Sequence, residues 1–268
     1  MKFETKCKYS GKIKYLLQYF KREHKLPDYR VENFEVLLKA TIDVIEYQNI
    51  THDEFWIRYL KWPQVEKELF KKSKNLNGFY QSWNEKAADL NLCANTINQM
   101  IYPENYNVIA YFFNRKGYYI DYGCGSATLS LGLYLKNRLK GKLKLLDVPN
   151  DIQKYIDYRI EKYYLSSDVS FNSVFSFHQK NIADGIMCID VLEHLDDPSE
   201  ILIEKISPML KIGGLLLLRA PWRGQLTHLD TAPDDFYQNG GRKYLDENYK
   251  EVYRFGVNDI STVYKKIK

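Results

Sequence analysis

The spacing of apolar residues in the first part of the chain predicts helices. Residues 12–24 and 31–47 place apolar side chains three and four positions apart, as one face of a helix requires. Thr51 stands three positions before Glu54, and this capping-box spacing predicts that another helix begins there. The pattern holds up to a polar stretch that contains glycine. We therefore expect a helical N-terminal region over residues 1–78.

Beyond Gly78 the pattern changes, and residues 79–268 alternate short apolar runs with amphipathic segments. Apolar strands separated by helices are typical of a parallel sheet that is covered on both faces. One of the predicted helices runs over residues 126–140 and is expected to stop at Gly141. We expect this second part of the chain to form one α/β domain.

Seven strands are predicted in this domain, and the last two differ from the others. They are separated only by the turn pair Asn258-Asp259, which indicates an antiparallel hairpin. The predicted fold class is an α/β protein with a doubly wound, mostly parallel seven-stranded sheet that ends in an antiparallel hairpin. The predicted strands are residues 118–121, 142–148, 169–177, 185–190, 213–221, 249–257 and 260–268.

Composition narrows the class of protein. Hydrophobic residues make up 45% and charged residues 27% of the chain, which is typical of a globular protein with a substantial core. No apolar run approaches the roughly 20 residues that cross a bilayer, and the first residues lack the apolar segment of a secretory signal. The four cysteines form no CxxC pair, which argues against a zinc ribbon or a disulfide framework. We expect a cytoplasmic protein without a membrane partner.

The net charge of +5 is unevenly distributed. Residues 1–79 hold 16 Lys and Arg against 11 Asp and Glu, so they carry the whole excess. Such a segment could bind an anionic substrate or nucleic acid. The surplus is small for a nucleic-acid surface, and a solvated helical surface explains it better. Nucleic acid is therefore not the expected partner.

Two glycines one residue apart mark the candidate ligand site. Gly123 and Gly125 follow the first predicted strand, where a loop without Cβ atoms lets a ligand approach the backbone. A dinucleotide fold would have a third glycine where this chain has Thr128. Asp121, at the strand end, would repel a pyrophosphate and favour a cation such as S-adenosylmethionine. Asp147 ends the next strand, where ribose hydroxyls need an acceptor, but a nicotinamide cofactor needs the same group.

Three motifs extend this interpretation. Residues 120–131 resemble the DxGxGxG motif of class I S-adenosylmethionine-dependent methyltransferases, with Ala127 in place of the third glycine. Residues 184–198, which contain VLEH, resemble the fourth-strand motif of small-molecule methyltransferases, including the ubiquinone-pathway O-methyltransferases. Residues 210–222 resemble the fifth-strand motif. The resemblance covers about residues 79–268 and implies a methyltransferase domain that uses S-adenosylmethionine.

The resemblance also implies roles for individual residues. The acidic residue that touches adenine in many relatives has no counterpart here, so Asn172 or Ser173 is expected to replace it. In the implied cofactor set, Asp121 and the backbone of the two glycines hold the methionine part, Asp147 holds the ribose, and two residues line the sulfonium side. The set is Asp121, Gly123, Gly125, Asp147, Asp190 and Val191.

Two histidines fall where the methyl group should point. A base is needed to methylate a hydroxyl group and is needed less for an amine, so His194 and His228 are the candidate catalytic residues. His194 could instead organise its loop, and His228 could be an ordinary loop residue. Asp190, Glu193 and the two histidines also resemble the metal set of small-RNA 2′-O-methyltransferases, which have Glu in place of Asp190. The prediction for the site is nevertheless one without a metal.

The expected function is methyl transfer to an O or N atom of a small-molecule acceptor. Phosphorylated, sugar-linked and nucleotide-linked biosynthetic intermediates are the candidate acceptors, and the N-terminal helices would form a lid, a substrate element or a homodimer contact. Trp222, Arg223, Tyr80 and Trp83 are candidates for the acceptor pocket. An RNA or protein methyltransferase that docks through the basic N-terminal helices is the alternative, with metal assistance as a variant. A nicotinamide oxidoreductase and a non-catalytic binder also stay open.

Overall fold

The structure is a computed structural model, and it describes residues 26–73, 87–222, 228–255 and 260–268. Several sequence predictions lie outside these residues. They are the helix over residues 12–24, the polar stretch at Gly78 and the turn pair Asn258-Asp259.

The sheet has the predicted architecture. Its seven strands are ordered β3-β2-β1-β4-β5-β7-β6, and β7 runs antiparallel to both β5 and β6. The other neighbouring pairs are parallel. The predicted fold class is therefore confirmed. The strands are β1 (Lys116–Tyr122), β2 (Lys140–Asp147), β3 (Val169–Ser173), β4 (Ala183–Ile189), β5 (Leu210–Ala220), β6 (Tyr249–Arg254) and β7 (Ile260–Lys266).

The helices precede the sheet and connect its strands. The predicted cap at Thr51 is confirmed, because its hydroxyl accepts the Glu54 N–H at 3.1 Å. A short 3-10 turn, Leu192–His194, follows β4, and residues Ile201–Ile206 form π-helical turns. The α-helices are α1 (Arg30–Gln48), α2 (His52–Lys72), α3 (Ala88–Asn98), α4 (Pro103–Phe112), α5 (Thr128–Leu135), α6 (Ile152–Lys162), α7 (Pro198–Glu200), α8 (Ser207–Met209), α9 (Thr231–Gln238) and α10 (Gly241–Asn248).

The predicted end of the helix after the glycine turn was wrong. Helix α5 stops at Leu135, and Asn137 takes the left-handed conformation there with a φ of 57°. The Arg138 N–H then closes the end by donating to the Leu133 carbonyl at 2.8 Å. Gly141 lies inside β2, where a Cβ would stand 2.3 Å from the Gly117 carbonyl oxygen. The glycine is there for close strand pairing and has no part in ending the helix.

Helix α1 packs directly on the α/β part of the chain. Val36 and Val44 belong to the same apolar cluster as Leu143 and Leu145 of β2. A Cβ on Gly132 of α5 would stand 2.1 Å from Val36 Cγ1, so this glycine allows the two helices to approach closely. The predicted boundary between residues 78 and 79 lies outside the described residues and stays a prediction.

A buried ion pair joins α1 to α6. Arg159 Nε donates to Asp43 Oδ2 at 3.1 Å, and both side chains are almost completely buried. Lys162 Nζ donates to the other Asp43 oxygen at 2.8 Å, and the Tyr163 hydroxyl binds the same oxygen. The carboxylate thus has several charged or polar partners inside the protein.

The described N-terminal helices do not carry the basic surplus. Residues 26–73 hold seven Lys and Arg against nine Asp and Glu, so the excess of positive charge comes from residues outside this range. Among the helices that the structure describes, none combines the length and the apolar character that crossing a membrane requires.

Candidate active site

The carboxyl ends of four neighbouring strands bring the predicted residues to one edge of the sheet. Asp121 lies near the end of β1, Asp147 ends β2, Asp190 follows β4, and Arg219 lies near the end of β5. The chain reverses its strand order between β1 and β4, and ligands bind at such a switch point in open α/β sheets. The topology therefore creates one candidate site from residues almost 100 positions apart.

Asp147 fastens the glycine turn to the end of β2. One of its carboxylate oxygens accepts the Gly125 N–H at 2.6 Å, and the other accepts the Val148 N–H at 2.7 Å. The Gly123 N–H donates to the Leu146 carbonyl at 2.8 Å. Each Asp147 oxygen keeps lone pairs for a further donor, such as a ribose hydroxyl.

Asp121 and Asp147 form a pair of partly buried carboxylates. Burial raises the pKa of Asp121 to about 7, against the opposing effect of the Ser130 hydroxyl and with a further increase from Asp147. Burial also raises the pKa of Asp147 to about 6, although its two backbone donors oppose this. Within the described residues, no Lys or Arg side chain lowers the pKa of either carboxylate. A cationic ligand would supply the missing positive charge, so this pair fits a sulfonium compound with an ammonium group.

The two glycines have a packing role in the structure. Both adopt a positive φ, 74° at Gly123 and 51° at Gly125. A Cβ on Gly123 would stand 2.3 Å from Val191 Cγ2, and one on Gly125 would stand 2.6 Å from Asn95 Oδ1. The space beside each Cα is filled by the chain's own side chains, so the missing Cβ atoms serve internal packing. Contact between the loop backbone and a cofactor stays a prediction.

Ala127 takes the place of the third motif glycine and keeps a glycine-like conformation. Its φ is 51° and its ψ is 28°, in the left-handed region, and its side chain is buried. This conformation costs a non-glycine residue roughly 1–2 kcal/mol. The surrounding structure therefore holds the turn in this conformation, although alanine stands in place of the glycine.

Sequence reasoning missed Asn95 and Gln99, which lie at the end of α3 and reach the glycine turn. The amide groups of both side chains lie against the position where a Gly125 Cβ would be. Their only signal in the sequence is a pair of amide side chains four positions apart on a helix that precedes β1.

Glu193, His194 and His228 come together beside this edge. Glu193 Oε1 lies 4.0 Å from Nε2 of each histidine, and the imidazole rings are 5.0 Å apart. The Leu229 N–H donates to the Glu193 carbonyl at 2.9 Å, which places the loop of His228 against the 3-10 turn. Burial, and the nearby His194 and Arg219, lower the pKa of His228 to about 4, so its ring is neutral at physiological pH.

These three residues have the chemistry of a metal site. In the described part of the chain, their ligand atoms all lie within 4.8 Å of one another. Two imidazole nitrogens and a carboxylate oxygen are donors that suit Zn²⁺, Fe²⁺ or Mn²⁺. Ligand atoms that are each about 2.1 Å from a tetrahedral ion lie ~3.4 Å from one another. The ligand atoms of these three side chains would need to move only slightly closer together to hold such an ion.

Asp190 does not join this cluster. It adopts the left-handed conformation with a φ of 56°, and its carboxylate pairs with the Arg219 guanidinium. The guanidinium lies 4.3 Å from the centre of the Tyr102 ring. The structure thus brings together three of the four residues in the metal set that the sequence suggested.

Comparison with known proteins identifies the family. The family described as Methyltransferase domain matches residues 97–251, which is more than half of the chain. This chain belongs to that family. The protein is therefore an S-adenosylmethionine-dependent class I methyltransferase, and S-adenosylmethionine is its cofactor. When bound, this cofactor supplies an electrophilic methyl group on a sulfonium.

Solved structures share the fold of this methyltransferase at low sequence identity. An O-methyltransferase family protein from Burkholderia thailandensis has a TM-score of 0.54 and 15% identity, with coverage of 84% of this chain and 71% of that chain. An O-methyltransferase from neocarzinostatin biosynthesis, solved with S-adenosyl-L-homocysteine and 1,4-dihydroxy-2-naphthoic acid, has a TM-score of 0.51 and 19% identity. That match covers 71% of this chain and 61% of the other. Comparison with curated protein sequences found no match.

The remaining candidates of the methyltransferase site make contacts within the chain or lie outside the described residues. Asn172 Oδ1 accepts a hydrogen bond from the Lys144 ammonium at 2.8 Å, and the Ser173 hydroxyl accepts one from the Phe175 N–H at 3.2 Å. The Trp222 ring is buried and lies 5.0 Å from the Phe236 ring. The candidates outside the described residues are Arg223, Tyr80 and Trp83.

Proposed function

We propose that this methyltransferase acts on an O or N atom of a small-molecule acceptor. Asp121 and the backbone of the glycine turn would hold the methionine part of S-adenosylmethionine, and Asp147 its ribose. Asp190 and Val191 would line the sulfonium side. The carboxylates at the ends of β1 and β2, which have no basic side-chain partner among the described residues, support this arrangement, because a cation restores their ionised form.

The observation that carries the acceptor proposal is the cluster of Glu193, His194 and His228. Glu193 and His194 lie four and five residues beyond the end of β4, and His228 joins them from a later part of the chain, next to the proposed methyl position. An acceptor hydroxyl must lose a proton during transfer, and these residues offer groups that can take it or stabilise the resulting oxyanion. A hydroxyl acceptor uses such a cluster, whereas an amine needs it less, so oxygen is the favoured target.

The structural neighbours support a small acceptor. The neocarzinostatin-pathway enzyme is an O-methyltransferase that was solved with a dihydroxynaphthoic acid, and the Burkholderia protein belongs to an O-methyltransferase family. The alternative acceptor, RNA, is less well supported. The described N-terminal helices have more acidic than basic residues, so their net charge does not favour binding to RNA.

A transfer assay tests the acceptor class. The protein would be incubated with S-adenosylmethionine that carries a labelled methyl group and, separately, with phenols and hydroxy acids, sugar phosphates, total RNA and denatured protein. We expect label in one of the small-molecule fractions. Label confined to RNA or protein, with cofactor binding intact, would contradict the proposal. S-adenosylhomocysteine formation without any acceptor gives the background rate.

Asp121 gives a prediction for cofactor binding and its dependence on pH. Its raised pKa means that the free site binds a proton at pH values below about 7, whereas a cation requires the ionised form. We expect the affinity for S-adenosylmethionine to fall by up to about tenfold per pH unit as the pH is lowered from about 7 to about 5.5. Asp121→Asn should bind about 10- to 100-fold more weakly and lose most of this dependence. Calorimetric titration over this pH range measures both effects.

The control for this measurement is Asp168→Asn, which removes an exposed carboxylate at the amino-end edge of the sheet. It should leave both the affinity and its pH dependence unchanged. Equal affinity for wild type and Asp121→Asn at neutral pH would remove Asp121 from the cofactor site.

A second candidate is the same transfer with metal assistance. The geometry of Glu193, His194 and His228 favours it, because two imidazole nitrogens and a carboxylate oxygen lie within 4.8 Å of one another. A divalent ion held there would lower the pKa of an acceptor hydroxyl. The transfer assay distinguishes the two candidates when it is repeated in chelator. Loss of turnover that added Mn²⁺ or Zn²⁺ restores would establish metal assistance, and full turnover in chelator would exclude it.

A further inference from the structure

Gln99 binds the turn that begins α5 through both ends of its amide. Its Oε1 accepts the Thr128 N–H at 2.7 Å and the Leu129 N–H at 3.3 Å. Its Nε2 donates to the Cys124 carbonyl at 2.7 Å. The first N–H groups of a helix have no partner within the helix. Gln99 therefore caps α5 from a different helix and ties that cap to the glycine turn.

Asn95 holds the middle of the same turn. Its Oδ1 accepts the Ser126 N–H at 2.8 Å, and it also accepts from Gln99 Nε2 at 3.1 Å. The two side chains thus form one connected hydrogen-bonded unit. On the opposite side, Asp147 accepts the Gly125 N–H. The turn is held from both sides by side chains that are distant in sequence.

Helix α3, which carries these two amides, is itself fixed on its other side. Ala94 packs in an apolar cluster with Trp62 of α2. Gln48 at the end of α1 donates to the Asp89 carbonyl at 3.1 Å. Because α3 lies between the N-terminal helices and the glycine turn, its amides have a defined position relative to the turn.

We propose that Asn95 and Gln99 are positioning residues that hold the glycine turn in its cofactor-binding form. This inference rests on the proposed function, because it takes the turn as part of the cofactor site. A turn that is already ordered loses little conformational entropy when the cofactor binds. The two amides also satisfy backbone N–H groups at Ser126, Thr128 and Leu129, so these groups are not available to an anion such as a pyrophosphate.

Two substitutions at Gln99 test the role of its amide. Gln99→Ala removes all three hydrogen bonds to the turn, whereas Gln99→Glu keeps the acceptor for the Thr128 and Leu129 N–H groups and loses the donor to Cys124. We expect the Kd for S-adenosylmethionine and for S-adenosylhomocysteine to rise by about 10- to 100-fold in Gln99→Ala and by clearly less in Gln99→Glu. At saturating cofactor, kcat should change by less than about threefold, because the reacting groups are untouched. Asn98→Ala, an exposed position on the same helix, is the matched control and should behave as wild type.

The measurements are made well below the unfolding midpoint of each variant, so that a lower stability alone does not change the Kd. Hydrogen exchange gives an independent readout in the free protein. The amides of Ser126, Thr128 and Leu129 should be protected in wild type, and those of Thr128 and Leu129 should exchange faster in Gln99→Ala. If Gln99→Ala does not fold, Gln99→Glu and Asn95→Ala are compared with wild type in its place.

The outcomes separate this inference from the proposed function. Wild-type affinity in Gln99→Ala overturns the inference and leaves the cofactor site in place. A reduced melting temperature with an unchanged Kd also overturns it, since the amides would then serve stability alone. An unchanged Kd in Asp121→Asn overturns the cofactor site itself and this inference with it.

Discussion

His228→Ala should lower the rate of methyl transfer by about a hundred- to ten-thousand-fold, while the Kd for S-adenosylmethionine stays within about threefold of wild type. The expected loss is large because His228 is one of three polar groups that converge beside the proposed methyl position. In the proposed site, its imidazole would act on the acceptor hydroxyl as a base or as a metal ligand and would have no part in holding the cofactor. The measurement is initial rate at saturating cofactor and acceptor, together with calorimetric titration of the cofactor.

His178→Ala is the control for this prediction. His178 is an exposed histidine that follows β3, so it lies outside the cluster. Its substitution should leave both the rate and the Kd unchanged. A His228→Ala protein with the wild-type rate would remove this residue from catalysis, and a parallel loss of cofactor affinity would indicate a role in folding of the site.

Asp43→Ala should lower the free energy of unfolding by roughly 3–5 kcal/mol, because it leaves the buried Arg159 guanidinium without its counter-charge. Asp43 and Arg159 join α1 to α6, and neither side chain is accessible to water that could replace the lost partner. Urea unfolding followed by circular dichroism and by tryptophan fluorescence measures the change.

The matched control is Glu46→Gln. Glu46 binds the same Lys162 as Asp43 does, but it lies at the surface, where ion pairs contribute little. Its substitution should leave the urea midpoint nearly unchanged. A similar midpoint for Asp43→Ala and wild type would show that water or another side chain replaces the carboxylate.

The type of sheet and the position of the carboxylates follow from local pattern. Short apolar runs alternating with amphipathic helices were sufficient to predict the α/β sheet, and the turn at its end was sufficient to predict an antiparallel strand. Asp121 and Asp147 could be placed at one edge because parallel strands direct their carboxyl ends to the same side. The end of α5 was predicted wrongly, because Gly141 was taken as the residue that ends the helix, whereas Asn137 forms the cap.

Pairings between distant residues could not be read from the sequence. Glu193 and His228 are 35 positions apart in the sequence, yet Glu193 Oε1 and His228 Nε2 lie 4.0 Å apart in the fold. Asp190 was grouped with them by its spacing and by the resemblance to a known metal set, but its carboxylate pairs with the side chain of Arg219 on the neighbouring strand.

By itself, the sequence determined the fold class and the presence of carboxylates at the ends of neighbouring strands, where the cofactor site is proposed. Each of these depends on residues that are neighbours along the chain or on the rule that parallel strands share a direction. The tertiary structure decided which side chains fill the space beside Gly123 and Gly125, which amides cap α5 and which carboxylate meets the two histidines. These choices depend on how helices and loops pack across the sheet, and packing joins residues without regard to their separation in sequence.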